Sequence, residues 1–186
     1  MDRMASKPIT ADELLLMPGD RRCELVRGEV VDVSPAGYQH SLIAGRLARL
    51  VGSHVEERRL GVYLAPEAGF WIERNPDTVR APDGAFLREE RAREFVSHRG
   101  FVDGAPDLAF EVLSPTDRRK NAIAKCRQWI AAGAALSVLL DPDRRTATVF
   151  TAVGETELAG DATLRLEPVL PDLALPLAEL FESSTR

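Results

Sequence analysis

Cysteine is scarce in this sequence: Cys23 and Cys126 are the only two, far apart and outside any CxxC or Cys/His ligand spacing. That pattern excludes a disulfide framework or a thiolate metal site and fits two free thiols in a reducing cytoplasm. Long hydrophobic runs are missing as well. No stretch approaches the ~18 apolar residues of a membrane span, and no charged segment followed by an apolar one marks a leader, so neither membrane insertion nor secretion is expected. No Pro/Gly/Ser-rich linker, internal repeat or low-complexity segment divides the 186 residues, which predicts a single domain over 1–186 with room for a proper core. An excess of positive charge is also lacking. The net charge of -5 excludes a protein that coats nucleic acid through general basicity, while leaving a local positive face open. Neither G-x-S-x-G nor GxxxxGK[ST] occurs, so serine-elbow and phosphate-loop chemistry are set aside.

What is present centres on Pro106-Asp-Leu-Ala-Phe-Glu-Val-Leu-Ser-Pro115. Leu108, Phe110, Val112 and Leu113 are apolar and Ala109 is small, the composition of a central strand covered on both faces. Glu111 lies in its middle, where an ionised carboxylate costs several kcal/mol unless a cation, a metal or strong donors satisfy it. Ser114, Pro115 and Asp117 read as N-cap, first residue and N3 acid of a following helix. A second acid, Asp83, follows Pro82 in the strand-like run Thr78 to Leu87. A proline there implies an edge, a bulge or a kink. Two strand-borne acids raise the idea of a metal site.

The remaining order is read from local signals. Thr10-Ala-Asp-Glu13 is a capping box opening a short helix that Pro18-Gly19 stops. Cys23 to Val33 reads as a hairpin turning at Arg27-Gly28, in which Glu24 and Glu29 would ordinarily face water. Apolar residues from Tyr38 to Arg59 recur at helical spacing, with His40 in the first turn, where a histidine is commonly a cap or surface residue. Short strands are expected at Val62–Leu64 and Gly69–Ile72, with Glu67 between them, and a charged helix or turn from Arg88 to Val96. After the central strand comes a helix from Pro115 to Ala132 ending at Gly133, with Ile123, Cys126 and Ile130 facing the sheet. Further strands follow at Leu136–Leu140, Thr146–Thr151, and around Thr156 and Leu164, then a last small helix, Leu177 to Phe181. This predicts an α/β (α+β) protein with a mixed sheet flanked by helices.

Taken together, Glu24-Leu-Val-Arg-Gly-Glu29, His40, Ala81-Pro-Asp83, Gly104 to Pro115, Lys125 to Gly133 and Val138-Leu-Leu-Asp-Pro142 resemble the bacterial restriction-endonuclease-like family of the Uma2 type, within the PD-(D/E)XK nuclease superfamily. The resemblance covers nearly the whole chain and implies a restriction-endonuclease-like core. It implies a Mg²⁺-dependent (or Mn²⁺-dependent) endodeoxyribonuclease in which Asp83 and Glu111 hold the ion with the Val112 carbonyl. Lys125, on the next helix, would stand in for the superfamily lysine whose usual position is Leu113 here. Glu24, His40 and Glu67 become supporting or second-metal residues, with Arg118, Arg119 and Lys120 as phosphate contacts. DNA is the expected partner, a homodimer suits an enzyme that cuts two strands, and no membrane partner is expected. The alternative is an inactive nuclease fold that binds nucleic acid or protein. Where relatives carry Tyr-Trp entering the next strand, this chain has Leu136-Ser137.

Overall fold

The computed structural model describes residues 7–18, 22–115 and 117–182. Thr10 caps α1 (Ala11–Leu15) in a reciprocal box with Glu13, satisfying amides that the first turn would orphan. Gly19 of the expected Pro18-Gly19 stop lies outside the described residues. β1 (Cys23–Val26) and β2 (Glu29–Asp32) form the expected hairpin with Val26 opposite Glu29. Between them Arg27 and Gly28 have φ of 51° and 79°, the two positive values that a type I′ turn requires and that match the twist of the strands.

Beyond the hairpin the chain runs through α2 (Tyr38–Arg58), β3 (Gly61–Leu64), β4 (Phe70–Glu73), β5 (Thr78–Arg80), β6 (Gly84–Arg88), α3 (Glu89–Glu94), β7 (Val102–Asp103) and β8 (Leu108–Val112). It continues with α4 (Arg119–Ala131), β9 (Leu136–Asp141), β10 (Thr146–Thr151), β11 (Gly154–Leu158), β12 (Thr163–Leu166), β13 (Leu170–Pro176) and α5 (Leu177–Phe181). The main sheet is six-stranded and mixed, in the order β11-β10-β9-β8-β6-β3, with β8 and β9 parallel. A second sheet, β2-β1-β5-β4-β7, contains the hairpin, and β12 pairs with β13 apart from both.

Two expectations are corrected. The run Thr78 to Leu87 is not one strand: β5 belongs to the second sheet and β6 to the main one. Ala81-Pro82-Asp83 is the crossing between them, since a residue without an amide donor cannot sit inside a paired ladder. The helix after β8 starts at Arg119, not Pro115. The carboxylate of Asp117 turns back to accept from the Ser114 amide at 3.1 Å, closing a separate turn instead of capping a helix. β13, for which no strand was expected, carries Pro171 and Asp172, which a two-stranded edge tolerates.

Alternation along β8 divides the core. Leu108, Phe110 and Val112 pack with Phe86, Val138 and the α2 stripe Ile43, Leu47, Val51 and Val55, each fully buried side chain contributing about 1.5–3 kcal/mol. Ala109 and Glu111 therefore point to the opposite face. There Ala109 joins Ala85, Phe70 and Trp129 of α4, and Leu113 packs beneath α4 with Cys126 and Ile123. α4 ends as expected at Gly133, φ 107°. The Gly133 amide bonds to Ile130 and that of Ala134 to Trp129, both at 3.0 Å, the paired bonds of a Schellman ending.

Candidate active site

Period-two geometry brings the acids to one place. In β1, Leu25 packs under α1, so Glu24 faces the other way, toward α4, and is only 7% exposed. The sequence placed it on a wet face; the structure buries it. In β5, Val79 pairs with Leu25, which turns the next residue, Arg80, to the side of Glu24. Asp83 follows the crossing and stays tied to β8 through its amide, which donates to the Phe110 carbonyl at 2.9 Å. Glu111 projects from β8 onto the same floor.

Contacts then bind these groups into one network. Lys125 Nζ lies 3.0 Å from Glu24 Oε1 and 3.1 Å from Glu111 Oε1, and donates to the Ala81 carbonyl at 2.8 Å. Glu24 also accepts from Arg80 at 2.6 Å and from the Ala81 amide at 3.0 Å, while Arg80 Nε donates to Gln128 at 3.2 Å. Trp129 Nε1 donates to Glu111 Oε1 at 2.7 Å. Asp83 Oδ2 accepts from the Val112 amide at 2.7 Å and lies 3.0 Å from His40 Nε2. Val112 thus meets Asp83 through its N–H.

The electrostatics follow from burial against pairing. Burial pushes the Glu111 carboxyl up to about 7 against the pull of Lys125, with the Asp83 charge adding to the rise. Burial disfavours the charged form of Lys125 too, but the carboxylates of Glu111, Glu24 and Asp83 outweigh it and hold the ammonium above the usual lysine range. Glu24 would likewise rise by burial, yet Lys125 and Arg80 keep it below the ordinary carboxylate range. The hydrogen bond to Asp83 raises His40 against partial burial.

The floor opens into a cleft of about 920 Å³ that Val31, Pro35, Glu67, Arg118 and Asn121 also line. Six carboxylates line it against four arginines and lysines. Of the expected residues, Asp83, Glu111, Lys125, Glu24 and His40 come together. Glu67 sits at the rim, paired with Arg22 at 2.8 Å and well exposed. Arg118 borders the cleft and Lys120 does not. Arg119 is engaged with Glu157 at 2.6 Å and Asp141 at 3.5 Å. Sequence reasoning missed Arg80 and Trp129. Alternation from Val79 could have found Arg80, and the one-turn spacing from Lys125 could have found Trp129.

Strand-borne acids and a helix-borne lysine on a mixed sheet with helices on both faces make this a restriction-endonuclease-like fold. The crystal structure of a putative nuclease from Anabaena variabilis ATCC 29413 has the same fold, with a TM-score of 0.81 at 23% identity over 94% of this chain and 98% of that one. The chain belongs to the family described as Uma2, putative restriction endonuclease, whose model matches residues 11–178. No curated protein matches the sequence. Among the described residues no helix is long and apolar enough to cross a membrane.

Proposed function

We propose that this protein is a metal-dependent endodeoxyribonuclease that hydrolyses phosphodiester bonds in the cleft. The observation that carries the reading is the state of two neighbouring carboxylates, Glu111 on β8 and Asp83 at the end of the crossing that leads into β6. Both donors to Asp83 fall on Oδ2 and both donors to Glu111 fall on Oε1, so each acid has a second oxygen outside these contacts. Hard oxygen donors suit Mg²⁺ or Mn²⁺. Among the described residues no group of three or more His, Cys, Asp or Glu is placed as a metal cage; an ion here would be held through the two carboxylates, with the Val112 carbonyl and waters completing its shell. When bound, such an ion acidifies a coordinated water and offsets charge building on the phosphate.

The chain's own residues supply the rest. Lys125 presents a fixed ammonium beside Glu111, able to orient the attacking water or stabilise the phosphoryl oxygens. Glu24, itself held by Arg80, grips that lysine, and His40 with the Val112 amide holds Asp83. Arg118 at the cleft edge, with Lys120 further along α4, contacts phosphates, and a homodimer would bring two such clefts to the two strands.

The test is nicking of supercoiled plasmid and of branched DNA in Mg²⁺ or Mn²⁺. Wild type is expected to cut; Asp83→Asn is expected to lose both cutting and metal binding; Lys125→Ala is expected to lose cutting and keep the metal. Unchanged nicking by Asp83→Asn would overturn the assignment, and metal binding without nicking by wild type would favour a binding module.

A further inference from the structure

Trp129 is fully buried, and the one polar atom of its side chain is spent on an acid of the site. An indole N–H is a donor without acceptor capacity, and a buried one needs a partner. Here the partner is Glu111 Oε1, at 2.7 Å. Lys125, one turn earlier on α4, reaches the same oxygen at 3.1 Å. Two donors from one helix thus converge on a single oxygen of the carboxylate.

The indole itself has little freedom to move. Phe70 meets it edge-on, with centroids 5.9 Å apart and planes at 84°, and Ala85, Ala105, Ala109 and Ala134 leave the space it fills. Its backbone carbonyl accepts the Ala134 amide in the Schellman ending of α4. Phe70 comes from the second sheet and Ala85 and Ala109 from the main one, so the ring is clamped between the two.

We propose that Trp129 is a positioning residue: its N–H, together with Lys125, locks the Glu111 carboxyl about its own axis, leaving Oε2 as the oxygen available to a divalent cation. The inference rests on the metal-dependent reading above. Losing the N–H leaves Glu111 free to rotate, so the cost falls on metal affinity. Groups that orient a metal ligand in this way typically govern affinity or activity by about 10–100-fold.

Calorimetric titration of Mn²⁺ into wild type, Trp129→Phe and Trp129→Tyr tests it, with near-ultraviolet dichroism to follow the fold. Phenylalanine keeps an aromatic ring and removes the donor, and tyrosine returns a donor. Trp129→Phe is expected to bind Mn²⁺ on the order of 10–100-fold more weakly, with Trp129→Tyr recovering most of the loss. Equal affinity in wild type and Trp129→Phe overturns the positioning role and leaves the metal reading intact. Absence of Mn²⁺ binding by wild type overturns both. Should the substitutions unfold the chain, emission of Trp129 can be followed in a Trp71→Phe background, since the sequence has only these two tryptophans. Mg²⁺ is expected to change that emission, and Glu111→Gln to abolish the response. An emission that ignores saturating Mg²⁺ while calorimetry shows binding counts against the coupling.

Discussion

Glu111 holds its proton more tightly in the folded chain than in the unfolded one, because burial pushes its carboxyl up to about 7 from an ordinary 4.5. Stability from this group is therefore full below the unfolded value and is lost as pH rises through the folded one. In chelator, wild type is expected to melt at progressively lower temperature from about pH 5 to 8, and Glu111→Gln, permanently neutral, to show a flatter profile. Parallel melting curves for the two proteins would contradict the assignment. Gly84, next to Asp83, makes a different demand. A Cβ there would run into the Tyr63 hydroxyl and come within 2.9 Å of its Cζ, and that hydroxyl is buried without a partner among the described residues. Gly84→Ala is expected to cost about 1–3 kcal/mol by overpacking, and Tyr63→Phe to recover part of it. A double-mutant cycle by urea denaturation with no coupling would show that the crowding is relieved elsewhere.

Among the elements, α4 contributes most to the site and shows most clearly what the sequence could reveal. Its arginines have separate tasks. Asp141 is almost fully buried beside Arg119, so Arg119→Ala is expected to destabilise the fold by about 1–3 kcal/mol through an unpaired charge. Arg118→Ala is expected to leave melting unchanged and weaken oligonucleotide binding; denaturation and binding isotherms on the two variants separate these effects. The hairpin turn, the stripe of α2, the buried β8 and the glycine ending of α4 were all legible, because local periodicity and turn chemistry dictate them. The start of α4 was not, since the Asp117 carboxylate makes the bond to the Ser114 amide that a helix cap would make, yet the helix begins only at Arg119. Nor was the burial of Glu24, because a strand shows its two faces without saying which one another helix will cover. Lys125 was legible only through the resemblance; its physical reason is that Leu113 packs beneath α4 with Cys126 and Ile123, leaving the amine to arrive from the helix above.

At the scale of the whole molecule, the chain is acidic by five charges and its cleft carries more carboxylates than cations. A divalent ion that binds only the folded form adds stability by mass action, about 2.7 kcal/mol at a hundredfold excess over its dissociation constant. Melting temperature is expected to rise with Mg²⁺ or Mn²⁺, and Asp83→Asn or Glu111→Gln to remove most of the rise. A shift unchanged in both variants would place the ion elsewhere. Oligonucleotide affinity should also fall with added salt, because each phosphate contact releases counterions.

The crossing at Ala81-Pro82-Asp83 makes the candidate site depend on both sheets at once. Glu24 and Arg80 stand on one sheet and Glu111 on the other, with Asp83 at the end of the crossing segment. The apparatus is stitched across a seam that is complete only when both halves have docked. A chain whose second sheet has not docked keeps Asp83 and Glu111 but lacks Glu24 and Arg80, and with Glu24 one of the two carboxylates that grip Lys125. On the proposed nuclease reading, such a chain is expected not to cut DNA, and plasmid nicking is expected to be lost in mild urea before the backbone of either sheet melts.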